Sequence, residues 1–424
     1  MMFYHEAHFK ESSVGKIPQD WDTVKLSDVS HDLVGGGTPS TSEPDYWSGD
    51  IAWMTSAHIN GKIVTSGQKY ITKKGLENSA TNLIPKDNLL VATRVGIGKA
   101  AVNKIDIAIS QDLTGVIVDK DKVLPEFLYW CIISNEKRLK SLAQGSTIKG
   151  ILREDLGRLL IPQLSLSEQR AIVGVLGVVD LAVAKTGEVI AKTERLKKGL
   201  MQELLTRGIG HAEYKQTPIG KIPKEWNAVQ LEDLISDVKN GFASGKRDEK
   251  GIVQVRMNNI TTDGRLVLNF YLKVPTPENI DVWLLKPNDF LFNNTNSIDL
   301  VGKSAIFKGA SFPCTFSNHF TRIRFKESLV LPEWILNHFI IQWQKGYFKS
   351  VAIRHVGQAA VHTEYLLKLK ISLPPLDEQK KIVGILSTTN RKLELERNEK
   401  TKLEKIKRVL MDLLLTGKVR VKGD

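Results

Sequence analysis

The sequence predicts a mixed α/β (α+β) chain written twice, as two globular halves each followed by one long helix. Three observations predict it. A fifteen-residue segment recurs, two later pairs of segments recur at one constant offset, and the stretches joining those later segments contain no proline.

The first repeat runs from Gly15 to Val29 and returns from Gly220 to Leu234, with eight of fifteen positions identical at an offset of 205. Chance gives about one match at ordinary residue frequencies. Glu168-Gln169 and Ile172-Val173-Gly174 return as Glu378-Gln379 and Ile382-Val383-Gly384, at an offset of 210. Leu200-Met201 and Leu204-Leu205-Thr206 return as Leu410-Met411 and Leu414-Leu415-Thr416, again at 210. The shift from 205 to 210 marks loops of different length in the two halves, since loops tolerate insertions. The constancy over 168–206 and 378–416 marks one continuous helix in each half, because an inserted residue turns everything beyond it by about 100°.

The apolar positions agree. Ile172, Leu176, Val179, Val183, Ile190, Leu196, Leu200 and Leu204 step by threes and fours, as do Ile382, Leu386, Leu393, Leu403, Ile406, Leu410 and Leu414. That is the stripe of a coiled coil. Ser165 and Ser167 offer caps to the first helix, Pro374, Pro375 and Asp377 precede the second, and Gly208 and Gly417 end them. Each helix spans about 58 Å at 1.5 Å per residue. The chain then divides into 1–161, 162–210, 211–373 and 374–424. In the globular halves Ile51–Met54, Asn88–Val91 and Gly115–Val118 read as strands, and Pro125–Leu142 as an amphipathic helix. Trp21 and Trp226 occupy equivalent positions and read as core anchors.

Composition restricts the function. The 424 residues are 42% hydrophobic and 25% charged, which excludes wholesale disorder. Sixty Lys and Arg against 47 Asp and Glu leave a net charge of +13, which favours a polyanionic partner, nucleic acid before anionic membrane. Cys131 and Cys314 stand alone, so neither a disulfide framework nor a cysteine zinc site is expected. The first residues are polar and the apolar run Ala171–Ala184 is interrupted by Asp180, so a soluble, cytoplasmic protein without membrane contact is expected.

Catalytic motifs are missing. Gly302-Lys303-Ser304 ends like a phosphate loop, but Ser297 stands where that loop needs glycine. Gly96-Ile97-Gly98-Lys99 lacks the third glycine of a dinucleotide site. No Asn- or Asp-Pro-Pro-aromatic run of an amino-methyltransferase occurs. Asp237 with Asp248 and Glu249 only loosely resembles a nuclease centre, and His355 and His362 read as two faces of a solvated helix rather than metal ligands. A duplicated, basic chain with no active site reads as a double-headed binder.

Gly36-Gly37-Thr38-Pro39-Ser40-Thr41-Ser42, then Tyr46-Trp47, Gly49-Asp50-Ile51, Trp53 and Thr55-Ser56, resemble the opening of a target recognition domain. Gly96–Lys99, Ser110-Gln111-Asp112-Leu113, Leu373-Pro374-Pro375-Leu376-Asp377-Glu378-Gln379 and Leu410 to Val421 fit later blocks. In order and nearly twice over, they make the whole chain resemble the specificity (S) subunit of Type I restriction–modification enzymes. Two departures stand out: Ile161-Pro162-Gln163 lacks the double proline, and Lys239-Asn240-Gly241-Phe242-Ala243 replaces the glycine-rich run in the second half.

The resemblance implies two target recognition domains that read a bipartite, asymmetric site in double-stranded DNA. It also implies an antiparallel pair of helices, related by a pseudo-twofold axis, that sets the spacer and docks two methyltransferase (M) subunits. Restriction (R) subunits complete the enzyme. S-adenosylmethionine, ATP and magnesium are expected on those partners, with no cofactor, metal or catalytic residue on this chain. Lys and Arg in loops suit phosphates, and Arg, Asn, Gln and Thr suit base edges. The candidates are Thr38, Lys62, Lys73, Lys74, Arg94 and Lys99 in the first half, and Lys246, Arg247, Arg256, Asn258, Asn293, Asn294 and Lys303 in the second. The residues alone also fit a non-enzymatic scaffold that bridges two proteins, or, less well, a duplicated nuclease.

Overall fold

The two long helices run over Leu166–Arg207 and Leu376–Leu415 in a computed structural model that describes residues 2–144 and 150–422. Their ends follow the sequence. The Ser165 hydroxyl accepts the Glu168 amide at 3.3 Å. Gly208 and Gly417 close the helices at φ of 68° and 69°, a conformation that favours glycine.

The chain divides into two units, Met1–Gly187 with Asn398–Asp424, and Glu188–Arg397. Each unit therefore holds half of each long helix. In the first unit, Ile172 and Leu176 of one helix share a core with Leu414 and Leu415 of the other, and Asp180 pairs with Lys407 at 2.5 Å. Residue numbers rise on one helix as they fall on the other, so the halves pack antiparallel. In the second unit Met201, Leu204 and Leu205 share a core with Ile382 and Leu386, and Glu194 pairs with Arg397 at 2.7 Å.

The first unit builds a five-stranded sheet in the order Ser30–Gly35, Leu113–Val118, Asn88–Ala92, Ala100–Asn103, Ile63–Val64. A second sheet orders Lys69–Ile71, Trp47–Met54, Ile107–Ile109 and Asn82–Ile84. The strands read from sequence all lie within these. The helix expected over Pro125–Leu142 is two, Pro125–Ser134 and Glu136–Ser141. Asn135 breaks it by turning its own amide back onto the Cys131 carbonyl, at 2.9 Å.

The second unit repeats the plan. Ile235–Asn240, Phe320–Phe325, Phe290–Asn293 and Ser304–Ile306 form one sheet, and Leu272–Val274, Ile252–Val255 and Cys314–Phe316 another. A hairpin, Ile353–His355 with Gln358–Ala360, pairs with Thr295–Asn296. His355 thus ends a strand and His362 precedes the short helix Thr363–Leu367, which corrects the helical expectation for the pair.

One joint recurs where each long helix begins. Trp21 and Trp226 are 1% and 0% exposed, as core anchors should be. Their indoles donate to Glu168 and Glu378, at 3.2 and 2.8 Å. Gln169 and Gln379 accept the amides of Leu124 and Leu331, at 2.8 and 2.9 Å, from the segments that open the neighbouring helices. The acid is completed differently in each unit. Glu378 takes the Ile209 amide and the His211 imidazole, at 2.9 and 2.8 Å. Glu168 takes Arg420, at 2.5 and 2.9 Å. Arg420 lies in Val419–Lys422, which pairs antiparallel with Met2–His5 and so ties the two ends of the chain. It is 7% exposed and also binds Glu6 and Asp20, each at 2.9 Å. Among the described residues no helix is long and apolar enough to cross a membrane.

Removing one member of a buried ion cluster strands the others and costs about 3–5 kcal/mol. Arg420→Met should lower unfolding free energy by that order in urea titration, and a loss below about 1 kcal/mol, typical of surface ion pairs, would contradict the clasp.

A second prediction concerns acid. The His338 ring stacks edge-on to Trp334 at 4.9 Å, and burial, with the Lys345 charge nearby, pushes its pKa down from 6.5 to about 3. The folded chain keeps this imidazole neutral where the unfolded chain protonates. Stability is therefore full above the ordinary histidine value and falls as pH drops below it, by up to about 1.4 kcal/mol per pH unit. His338→Leu should flatten the loss of urea midpoint between neutral and mildly acidic pH; an unchanged loss would contradict it.

Candidate nucleic-acid interface

In the first unit several loops converge at the ends of the strands. Gly36 lies so close to the neighbouring strand that a Cβ would stand 2.2 Å from the Ile109 carbonyl. That contact needs glycine, and it presses the Thr38 loop onto Ser110–Asp112. Exposed Thr38 donates to Gln111 at 2.6 Å. The amides of Thr93 and Arg94 bond the Asp112 carbonyl, at 2.9 and 3.4 Å, which brings the Arg94–Lys99 loop alongside. Arg94 and Lys99 are exposed.

Lys73 and Lys74 begin the short helix Lys73–Glu77 and are exposed, paired to Glu77 and Asp45 at 3.6 and 3.1 Å. This polypeptide continues to Ala80, against which Gly37 is packed. Exposed pairs of this kind are weak and exchange readily for phosphate.

The second unit repeats the crossing. A Cβ on Gly241 would stand 2.0 Å from the Ser317 carbonyl. Phe242 O accepts the Gln254 side chain and the Asn318 amide, both at 3.1 Å, and Ser244 O accepts Arg256 at 3.5 Å. Lys246, Arg247 and Asn258 are exposed beside them. At this crossing Arg256 Nε, Ser317 Oγ and His319 Nδ1 are buried yet have no hydrogen-bond partner among the described residues. Burial and the Arg256 charge lower the His319 pKa, which keeps the ring neutral. Unmet donors and acceptors gathered at a loop tip suit a polar ligand, such as a phosphate or a base edge.

Four candidates lie elsewhere, and each placement corrects the sequence reading. Asn293 is 0% exposed and its amide bonds the carbonyls of Thr295 and His319, at 3.0 and 2.9 Å. Asn294 donates to Thr321 at 3.1 Å and accepts from Thr295 at 2.9 Å. These amides hold the crossing together and are not free for adenine. Lys303 is 8% exposed, with its amine on the carbonyls of Met257 and Ile260, at 3.2 and 2.6 Å; burial lowers its pKa. Lys62 is half-buried over Trp130, 5.4 Å from the ring, against the helical layer.

Other residues were not legible as candidates. Gln111 and His319 are set at the crossings by strand pairing between segments distant in sequence. Arg354, His355 and Val356 are exposed at the tip of the second unit's hairpin. Phe270 is 82% exposed, on a loop fixed by buried Asn259, which donates to the carbonyls of Val267 and Phe270 at 2.9 and 2.6 Å. Its signal is an aromatic beside Asn258-Asn259 and Asn269, and pairing in space was needed to see it. Asp237 stands against Arg322 as an ion pair, and no group of side chains suited to a metal occurs among the described residues.

The chain matches the family described as the Type I restriction modification DNA specificity domain twice, over residues 18–195 and 223–405. It is 26% identical to the Type I restriction enzyme MjaVIII specificity subunit of Methanocaldococcus jannaschii, covering 100% of this chain and 98% of that one. In fold it is similar to the crystal structure of a Type I restriction–modification S subunit from M. genitalium, with a TM-score of 0.60, 15% identity and coverage of 93% and 96%. A chain from a structural study of complex assembly in a Type I system matches with a TM-score of 0.57, 19% identity and coverage of 95% and 99%.

The loop and strut lysines should separate by experiment. Lys246→Ala with Arg247→Ala should weaken binding to all duplex sequences and reduce the slope of log affinity against log salt by about 1–2. Lys303→Met should leave that slope alone and lower unfolding free energy by about 1–3 kcal/mol. The reverse pattern would contradict these placements.

Proposed function

The chain belongs to the specificity subunits of Type I restriction–modification systems, and from that premise we propose that each unit reads one half of a split, asymmetric site in double-stranded DNA. The observation that carries this is the recurrence of one loop crossing, with its tight glycine and exposed cations, in two units whose contacting side chains differ. Thr38, Gln111 and Arg94 face the solvent in one, and Arg256, Asn258 and His319 lie at the other. Different side chains on one scaffold read different half-sites. Their phosphate contacts fix register, and base contacts from Arg, Asn, Gln and Thr supply the sequence.

The long helices are the ruler. The same helix enters both units, so its length is part of the path that joins the two readers. Half-sites one turn apart lie about 34–36 Å from each other. The helices also carry apolar side chains open to solvent, Val178, Leu181, Leu196, Leu395, Ile406 and Val409. These exposed apolar side chains support docking of two M subunits, which bring S-adenosylmethionine and methylate the DNA. R subunits then bring ATP and magnesium for cleavage. This chain catalyses nothing and acts in the cytoplasm.

The test is genome-wide mapping of modified adenines in a methylation-free host carrying the neighbouring methyltransferase gene, with and without this chain. A split motif modified only with the chain present is expected. Unmodified DNA from a host where both proteins associate would favour a scaffold instead. Deleting seven residues from each helix shortens the path by about 10 Å and should shorten the spacer by about three base pairs; the parental spacer would refute the ruler.

A further inference from the structure

The internal repeat provides its own control for a cavity. The second unit encloses about 1060 Å³ between the long helices, the helix Pro332–Gln344 and the loop at Gly264. Small-molecule sites occupy roughly 300–1,000 Å³, so this one is slightly larger than that range. Leu336, Ile340 and Leu393 supply apolar wall, and Asn337, Asn390 and Lys197 line it as well.

The matching place in the first unit holds a buried tryptophan and an ion pair. The offset of 210 along the long helices equates Asp180 with Asn390 and Lys407 with Lys197. Leu124-Pro125-Glu126 against Leu331-Pro332-Glu333 equates Trp130 with Asn337 and Tyr129 with Leu336. The glutamines at the helix starts confirm that alignment, because Gln169 and Gln379 bond Leu124 and Leu331 in the same way.

In the first unit the Trp130 indole is 0% exposed. Lys407 sits 5.0 Å from that ring and 2.5 Å from the Asp180 carboxylate. The buried indole occupies the position that Asn337 holds in the second unit, and the carboxylate neutralises the lysine. In the second unit both are gone. The lysine is kept, half-buried, with no hydrogen bond or ion pair among the described residues. Burial lowers its pKa, against the opposing charge of Asp263. Neither nearby acid is open to it as a partner: Glu194 and Asp263 are both taken by Arg397, at 2.7 and 3.1 Å. Lys198, Lys345 and Arg391 add further positive charge to the lining.

We propose that this cavity binds a small aromatic anion, its ring at the position that Trp130 occupies in the first unit and its carboxylate or phosphate facing Lys197. The ligand supplies from outside the two groups that the first unit supplies from its own chain. A ring stacks under a cation with favourable quadrupole geometry, and an anion on a poorly solvated ammonium forms a charge-assisted hydrogen bond. The inference stands on the repeat and the cavity and is independent of the DNA reading.

Isothermal titration of the full chain with indole-3-carboxylate, and separately with AMP, tests it. Saturable binding of either probe is expected, the one that binds identifying carboxylate or phosphate as the anionic group. Lys197→Ala should weaken it about 10-fold or more, the worth of a charged hydrogen bond. Asn337→Trp with Asn390→Asp copies the first unit into the second, and should abolish binding while the melting temperature is kept or rises. Affinity weaker than about 1 mM for both probes, or binding untouched by Lys197→Ala, would overturn the proposal. If the double variant fails to fold, Lys197→Ala decides alone.

Discussion

A helix that is buried at both ends in different cores can change its length only by whole turns. Ile172 and Leu176 pack in one core and Leu204 and Leu205 in the other, on a single helix. One extra residue between them would rotate one set off its core by about 100°. The same constraint acts on the second helix through Ile382 and Leu386 at one end and Leu414 and Leu415 at the other. Loops outside this frame are free to vary, and the units differ there, in the loops at the strand ends. Fixed helices and variable loops are what a reader with a fixed spacer and changeable half-sites requires.

Within that frame the duplicated joint shows which contacts are structural. Tryptophan, glutamate and glutamine recur at the start of both long helices with the same bonds. The copies diverge where their surroundings differ. Glu168 is closed by Arg420 from the chain end, whereas Glu378 is closed by the continuous segment at Ile209 and His211. Trp130 is buried in one unit, and Asn337 lines a cavity at the equivalent position of the other. Comparing copies inside one chain thus separates scaffold from specialisation.

Much of the fold was legible in the sequence, for a physical reason. The repeat, the constant offset and the apolar periodicity are local or one-dimensional signals, and the long helices ended within two residues of their expected bounds. The break at Asn135 was hidden, because an apolar stripe continues across it while one side-chain amide stops the helix. The site was less legible. Exposed Thr38, Arg94, Lys246 and Arg247 could be chosen by residue type and loop position. Asn293, Asn294 and Lys303 have the same residue types, but neighbours distant in sequence consume their polar groups. Type and position show what a side chain can do, and only packing shows whether it is free to do it.

The central claim is that each unit reads its half-site alone, on a shared and fixed ruler. Exchanging residues 211–373 for the corresponding segment of a relative, with both long helices kept, isolates it. Mapping of methylated adenines with the partner methyltransferase should then return a motif with one half-site changed and the other half-site and spacer retained. A motif altered in both half-sites, or in its spacer, would contradict the account.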